Sequence, residues 1–162
     1  MTSLLNQSLR QQGSSQVSVS DLMQTRLWTI FDHQSLHEAL ELMVTKRISC
    51  LPVYNAQTRL VGIITLSDIA KICLKQQQSH FLIPSGMAYV LEQAPACLET
   101  PVKQVMRSRI ISMDVNASLS DASQIMIQNR IRRLLILERG QLKGILSLND
   151  ILQAWPRVEC LV

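Results

Sequence analysis

The sequence predicts a mixed α/β (α+β) fold made of two copies of one β-α-β-β-α unit. The first observation behind this is an internal repeat, in which Met23, Ser35, Leu36, Ala39, Met43, Arg47 and Ile48 recur as Met106, Ser118, Leu119, Ala122, Met126, Arg130 and Ile131. The second is that short apolar runs separated by turn residues alternate with stretches of helical period in each copy. The third is composition: 47% of the 162 residues are hydrophobic but only 4% are aromatic, so the core must be built from Leu, Ile, Val and Met. A repeated unit this small buries little surface alone, which favours packing of the two copies on each other.

Residues 1–17 are rich in Ser, Gln and Asn and are expected to form a flexible tail. The first repeat spans 18–76, with Val19 to Met23 as its lead-in. Leu27 to Phe31 is a strand candidate. Ser35 followed by Glu38 forms a capping box, opening a helix whose apolar face carries Leu36, Ala39, Leu40, Leu42 and Met43 and which ends near Lys46 and Arg47. A hairpin follows, from Leu51–Tyr54 through a turn at Asn55 to Thr58 into Leu60–Ile64. Ser67 to about Gln76 then reads as an amphipathic helix burying Ile69, Ile72 and Cys73.

Residues 77–101 connect the copies, and Pro84 to Leu91 within them read as a short helix packed on the outside, with a lid over a cleft as the sharper alternative. The second repeat, 102–156, opens with Val102 to Met106 and a strand at Ile110 to Met113. Ser118 and Asp121 repeat the capping logic ahead of a helix burying Leu119, Ala122, Ile125 and Met126. Leu134–Leu137 and Leu142–Leu146 flank the turn-forming Arg139 and Gly140, one residue shorter than the first turn. The final helix begins near Ile151 and is expected to stop at Pro156, leaving 157–162 as a tail.

Several function classes find no support. A net charge of +4 with dispersed basic residues and few aromatics gives no nucleic-acid face. His33, His37 and His80 lack partners at metal-ligand spacing, no nucleophile elbow is present, and five glycines leave no phosphate-cradling run, so neither a catalytic nor a metal site is expected. Cys50, Cys73, Cys97 and Cys160 lie far apart and read as reduced thiols, Cys50 and Cys73 in the core. With no signal pattern and no membrane-spanning run, a cytoplasmic protein is expected.

What stands out chemically is the junction where each hairpin meets its following helix. Thr65, Ser67 and Asp68 occupy it in the first repeat, and Ser147, Asn149 and Asp150 in the second. Polar side chains there sit beside unpaired backbone N–H groups and the positive end of a helix dipole, a setting suited to a phosphorylated or hydroxyl-rich ligand. The same residues would serve equally as helix caps. Arg132 and Arg133 enter the second hairpin from its other end.

Two in-register copies of Gly-apolar-apolar-Thr/Ser-x-x-Asp, GIITLSDI at Gly62 to Ile69 and GILSLNDI at Gly144 to Ile151, resemble a tandem pair of cystathionine-β-synthase (CBS) domains, or Bateman module, from about Val19 to Trp155. The resemblance implies a pseudo-twofold intramolecular pair with two clefts for adenosine-containing ligands such as AMP, ADP, ATP or S-adenosylmethionine, and no required cofactor. It implies that Asp68 and Asp150 hold ribose hydroxyls, that Thr65 and Ser147 contact phosphate or ribose, and that Arg132 and Arg133 bind phosphate. Ser49 and Cys50 replace that arginine pair in the first repeat, so the two clefts are expected to differ. The family's interleaving puts Ile48 and Ser49 beside the Asp150 cleft, with Leu27 and Trp28 lining its adenine slot. Ile131 and Arg132, with Ile110 and Ile111, would serve Asp68. The Asp150 cleft is expected to bind phosphorylated nucleotide more tightly.

Two functions follow from the resemblance. One is a regulatory module that binds an adenosyl ligand and passes a conformational change to an effector protein. The other is a structural module with empty clefts that dimerises through its helices, a homodimer being implied in either case. Which ligand, which effector, and whether the chain stands alone are not written in the sequence.

Overall fold

The structure, a computed structural model, describes residues 17–76 and 95–159. The tail at 1–16, the helix expected at Pro84 to Leu91 with its lid alternative, and residues 160–162 lie outside the described residues. The elements run α1 (Val19–Leu22), β1 (Ile30–Phe31), α2 (Leu36–Lys46), β2 (Cys50–Tyr54), β3 (Leu60–Thr65), α3 (Leu66–Gln76), α4 (Pro95–Leu98), a 3-10 turn (Val102–Gln104), β4 (Ser112–Asp114), α5 (Leu119–Gln128), β5 (Arg133–Glu138), β6 (Gln141–Ser147) and α6 (Leu148–Glu159). They form two three-stranded sheets, β1-β2-β3 and β4-β5-β6. The first strand of each is parallel to the second, and the second and third form an antiparallel hairpin. Both sheets are therefore mixed, as the repeated strand-helix-strand-strand order demands.

The two hairpins are built alike down to an irregularity. The register slips between Val53 and Tyr54 in one ladder and between Ile136 and Leu137 in the other, in each case opposite the residue before a glycine. Arg139 and Gly140 close the second hairpin with positive φ at both positions, the conformation of a tight two-residue turn that matches strand twist. In the longer first turn the Asn55 side chain accepts from the N–H groups of Gln57 and Arg59, so a polar side chain takes over bonds that the ladder no longer supplies.

The helices start where the sequence marks them. Ser35 accepts from the Glu38 N–H while Glu38 accepts from the Ser35 N–H, completing the capping box. Ser118 caps α5 by accepting from the Asp121 N–H, and its hydroxyl donates to Asp121 Oδ2 (2.8 Å). Arg47 caps the C-terminus of α2: its N–H donates to the carbonyls of Met43 and Val44, and its left-handed backbone (φ 53°) turns the next N–H, of Ile48, back to Met43 O (2.9 Å). Arg130 adopts the same conformation after α5.

The strands near Leu27 and Ile110 are shorter than expected. β1 holds only Ile30 and Phe31, and β4 begins at Ser112, because pairing lasts only where β2 and β5 lie alongside. The last helix is longer than expected: Pro156 does not stop it, and α6 continues to Glu159. Proline forfeits its own N–H bond but not those of the residues after it, and the helix is anchored one turn earlier by buried Ile151 and Ala154.

The chain divides into two compact units that do not follow the order of the repeats: one comprises residues 26–111, the other 1–25 with 112–162. In the first unit Leu36, Ala39, Leu40 and Met43 of α2 pack with Leu51, Val53, Ile64, Ile69 and Cys73, and the core is completed by Cys97 and Leu98 from the connecting segment and by Val102 from the lead-in of the second repeat. Both stretches are knitted in by backbone bonds from Leu36 N–H to Thr100 O, Val102 N–H to Gln34 O and Lys103 N–H to Asp32 O. In the second unit Met113, Ala122, Met126, Leu134, Leu135, Ile136, Leu146, Ile151 and Ala154 are buried, as is Val19 of α1. Each lead-in thus packs in the unit that holds the other repeat's sheet.

Cys97 joins Cys50 and Cys73 among the buried thiols, with the Cys73 and Cys97 sulfurs 2.7 Å apart. Burial first, and then the neighbouring thiol, push the Cys73 pKa up to about 12. Among the described residues no helix is long and apolar enough to cross a membrane.

Candidate functional site

Each hairpin delivers its Thr or Ser and its Asp to one spot. Thr65 ends β3 and Ser147 ends β6, and in both cases the helix starts at the next residue, so Asp68 and Asp150 fall in the first helical turn, three residues on. The helical turn brings residues of that spacing together. Asp68 Oδ2 accepts from the Thr65 N–H (3.1 Å) and the Thr65 hydroxyl, and Asp150 Oδ2 accepts from the Ser147 N–H (2.8 Å) and hydroxyl (2.6 Å). In return the Asp68 and Asp150 N–H groups donate to Thr65 Oγ1 and Ser147 Oγ. The capping role foreseen for these residues is therefore real, and it uses one carboxylate oxygen of each.

The other oxygen separates the two junctions. An ionised carboxylate offers roughly four acceptor positions. At Asp68, Oδ1 accepts from Arg107 Nη2 (2.9 Å) and Nε (3.2 Å), which fills the two that the cap leaves. The Asp68 side chain is 9% exposed, whereas that of Arg107 is 46% exposed. At Asp150, Oδ1 takes no hydrogen bond among the described residues, and the residue is half-buried. Asp150 thus keeps two acceptor positions at the helix N-terminus.

Arg107 reaches Asp68 because its backbone is fixed beside β3, where Ile63 and Arg107 exchange N–H to O bonds of 3.1 and 2.9 Å. Gln24 and Ile145 exchange equivalent bonds of 2.9 and 3.0 Å. The glycines of the repeated motif make room for these crossings. A Cβ on Gly62 would lie 2.8 Å from the Arg107 carbonyl oxygen, and one on Gly144 would lie 2.6 Å from Met23 Sδ. Arg107 was not foreseen as a site residue. The one sequence signal was its mismatch with Gln24 in the repeat alignment.

The remaining predicted residues are distributed as follows. Ser49 and Arg132 stand just before their strands, and their carbonyls accept from the first helical N–H groups, Leu66 (3.0 Å) and Leu148 (2.9 Å). Arg133 pairs across the ladder with Ser147 and Cys50 with Thr65, so the second junction has a guanidinium-bearing residue where the first has a thiol. Arg132 is exposed and Arg133 half-buried; Ser67 and Asn149 are exposed on the first turns of their helices. Ile48 and Ile131 are half-buried, their N–H groups donating to Met43 O and Met126 O (both 2.9 Å). Leu27, Trp28, Ile48, Ser49, Ile110 and Ile111 belong to the unit carrying Asp68, and Ile131, Arg132 and Arg133 to that carrying Asp150. Trp28 packs against the first core, with the Lys46 ammonium 4.3 Å and the Arg26 guanidinium 5.8 Å from its ring centre, a cation–π arrangement.

Each junction lies at the end of its own hairpin away from the turn. A shallow depression of about 270 Å³ lined by Thr29, Ile30, Phe31, Tyr54 and Thr58 sits at the turn end instead. It has no part in the junction chemistry.

The family model described as "CBS domain" matches residues 19–75 and again 102–157. The chain belongs to the CBS domain family. The CBS domain-containing protein YhcV of Bacillus subtilis is 34% identical over 134 residues, covering 83% of this chain and 82% of that protein. Among solved CBS pairs, CBSX2 in complex with AMP superposes with a TM-score of 0.66 at 23% identity, covering 88% of this chain and 98% of that one. The CBS pair of protein MJ0100, solved with 5′-methylthioadenosine and S-adenosyl-L-methionine, gives 0.69 at 20% identity over 88% and 98% of the two chains. At such identities these likenesses establish the CBS fold of each repeat and do not carry a ligand.

Proposed function

We propose that this CBS pair is a non-catalytic regulatory module of the cytoplasm that binds an adenosine-containing ligand at its Asp junctions and passes the change to an effector protein. The observation that carries the reading is the Asp150 carboxylate: Oδ2 is held by Ser147, and Oδ1 offers two acceptor positions at a helix N-terminus. A vicinal diol supplies two O–H donors to such a group, and hydrogen bonds to a charged acceptor are the strong kind. The solved relatives bind AMP in one case and 5′-methylthioadenosine and S-adenosylmethionine in the other, which is why AMP, ADP, ATP and S-adenosylmethionine are the ligands to try. Ser147, Asn149 and Arg133, all in the unit that carries Asp150, are assigned to the Asp150 site. Thr65, Ser67, Ile110 and Ile111, all in the unit that carries Asp68, are assigned to the Asp68 site. We expect the Asp150 site to be the tighter one, because Asp68 has first to give up Arg107.

A second reading, a scaffold that homodimerises through its helices, is favoured by three apolar side chains left in water on helices: Val44 on α2, Ile127 on α5 and Leu152 on α6. A thermal-shift screen separates the readings. A ligand at one hundred times its Kd adds about 2.7 kcal/mol to the native state, worth about 5–10 °C in Tm for a chain of this size. The regulatory reading expects such a shift with at least one of the four ligands; no shift with any of them leaves the scaffold.

A further inference from the structure

We infer that Arg107 is a specificity-determining residue, which closes the Asp68 acceptor to neutral ribosides and admits phosphorylated ones. The inference rests on the reading that the Asp junctions bind adenosyl ligands, and it concerns how one of them chooses.

Thr65 takes Oδ2 of Asp68 through its N–H and hydroxyl, and the Arg107 fork takes Oδ1 through Nε and Nη2. No position is left for a sugar diol unless Arg107 moves. Two neutral hydroxyls cannot compete with a two-pronged, charge-assisted pair on a 9% exposed carboxylate. A ligand whose ribose carries a phosphate brings its own anion within a few bonds of the diol. The guanidinium can then pass from carboxylate to phosphate while the hydroxyls take the carboxylate, so that each charge keeps a partner. Arg107 is free to make that move: its side chain is 46% exposed, and only its backbone is fixed, by the bonds to Ile63 and the close approach to Gly62.

The second repeat supplies the control within the same chain. Gln24 holds the equivalent backbone bridge to Ile145, is exposed, and makes no side-chain hydrogen bond among the described residues. Among the described residues Asp150 accordingly has no ion pair to break, and this position makes no demand for an anion. The difference is one of residue type at matched places, arginine against glutamine, and so it can be exchanged.

The experiment is isothermal titration of adenosine and AMP into the Asp150→Ala protein, in which the Asp68 junction reports alone, with Arg107 intact, with Arg107→Gln and with Arg107→Lys. With Arg107 intact, AMP should bind at least about tenfold more tightly than adenosine. Arg107→Gln should strengthen adenosine and weaken AMP, bringing the two within about threefold, and Arg107→Lys, which keeps the charge without the fork, should fall between. An AMP-to-adenosine ratio that Arg107→Gln leaves unchanged overturns the inference and spares the adenosyl reading. So does an Asp150→Ala protein that binds neither ligand while the parent binds AMP. A parent that binds neither overturns both.

Discussion

Asp150→Ala is expected to abolish the tighter of two AMP binding events, lowering its affinity by about two orders of magnitude. The ligand's hydroxyls would lose two bonds to a charged acceptor, each worth about 1.5–3 kcal/mol, and 1.4 kcal/mol is a factor of ten in Kd. Part of the gross loss is recovered by water, which brings the net effect to that scale. The same substitution removes the acceptor for the Ser147 N–H and hydroxyl, at a cost of about 1 kcal/mol in helix capping. Titration at a temperature well below the lowered Tm keeps the two effects apart. Asp68→Ala should leave the tighter event within about threefold of the parent, since its carboxylate is already engaged by Arg107. Equal losses for the two variants would show that the ion pair does not distinguish the sites.

The second large effect concerns the motif glycines. Gly62→Ala should lower stability by about 2–3 kcal/mol, because the new methyl would sit 2.8 Å from a backbone carbonyl oxygen that is itself pinned by the Ile63–Arg107 bridge. Gly144→Ala meets the Met23 thioether rather than backbone. Methionine is flexible enough to turn aside, so the expected loss is about 1 kcal/mol. Chemical denaturation of double variants provides the sharper check: Met23→Ala should rescue most of the Gly144→Ala loss, whereas Met106→Ala should leave most of the Gly62→Ala loss in place, since the carbonyl remains. Equal rescue in both repeats would contradict the assignment of the Gly62 clash to backbone.

These two effects also show what could be read from the sequence and what could not. The repeat was legible because it preserves local chemistry: Ser35 with Glu38, Ser118 with Asp121, and the Gly-to-Asp motif each act over a few residues. The junctions were legible for the same reason, including the possibility that the Asp residues act as caps. The exchange of lead-ins was not, since Gln24 meets Ile145 and Arg107 meets Ile63 through backbone bonds that any side chain would allow. Arg107 and Asp68 are 39 residues apart, too far for periodicity or capping patterns to relate them. Cys97 gave no sign of burial because it lies in a short four-residue helix without a pattern of its own. Pro156 misled in the opposite direction: a strong local breaker signal was overridden by a helix already held by its preceding turn.

A half-engaged carboxylate at a helix start is expected to receive the two hydroxyls of a ribose. Calorimetric titration of the unmodified protein with AMP and with 2′-deoxy-AMP addresses it most directly, because the two ligands differ by one O–H donor and share base and phosphate. AMP should bind at least about tenfold more tightly, the worth of one hydrogen bond to a charged group. Matching affinities for the two would mean that the carboxylates are helix caps and nothing more.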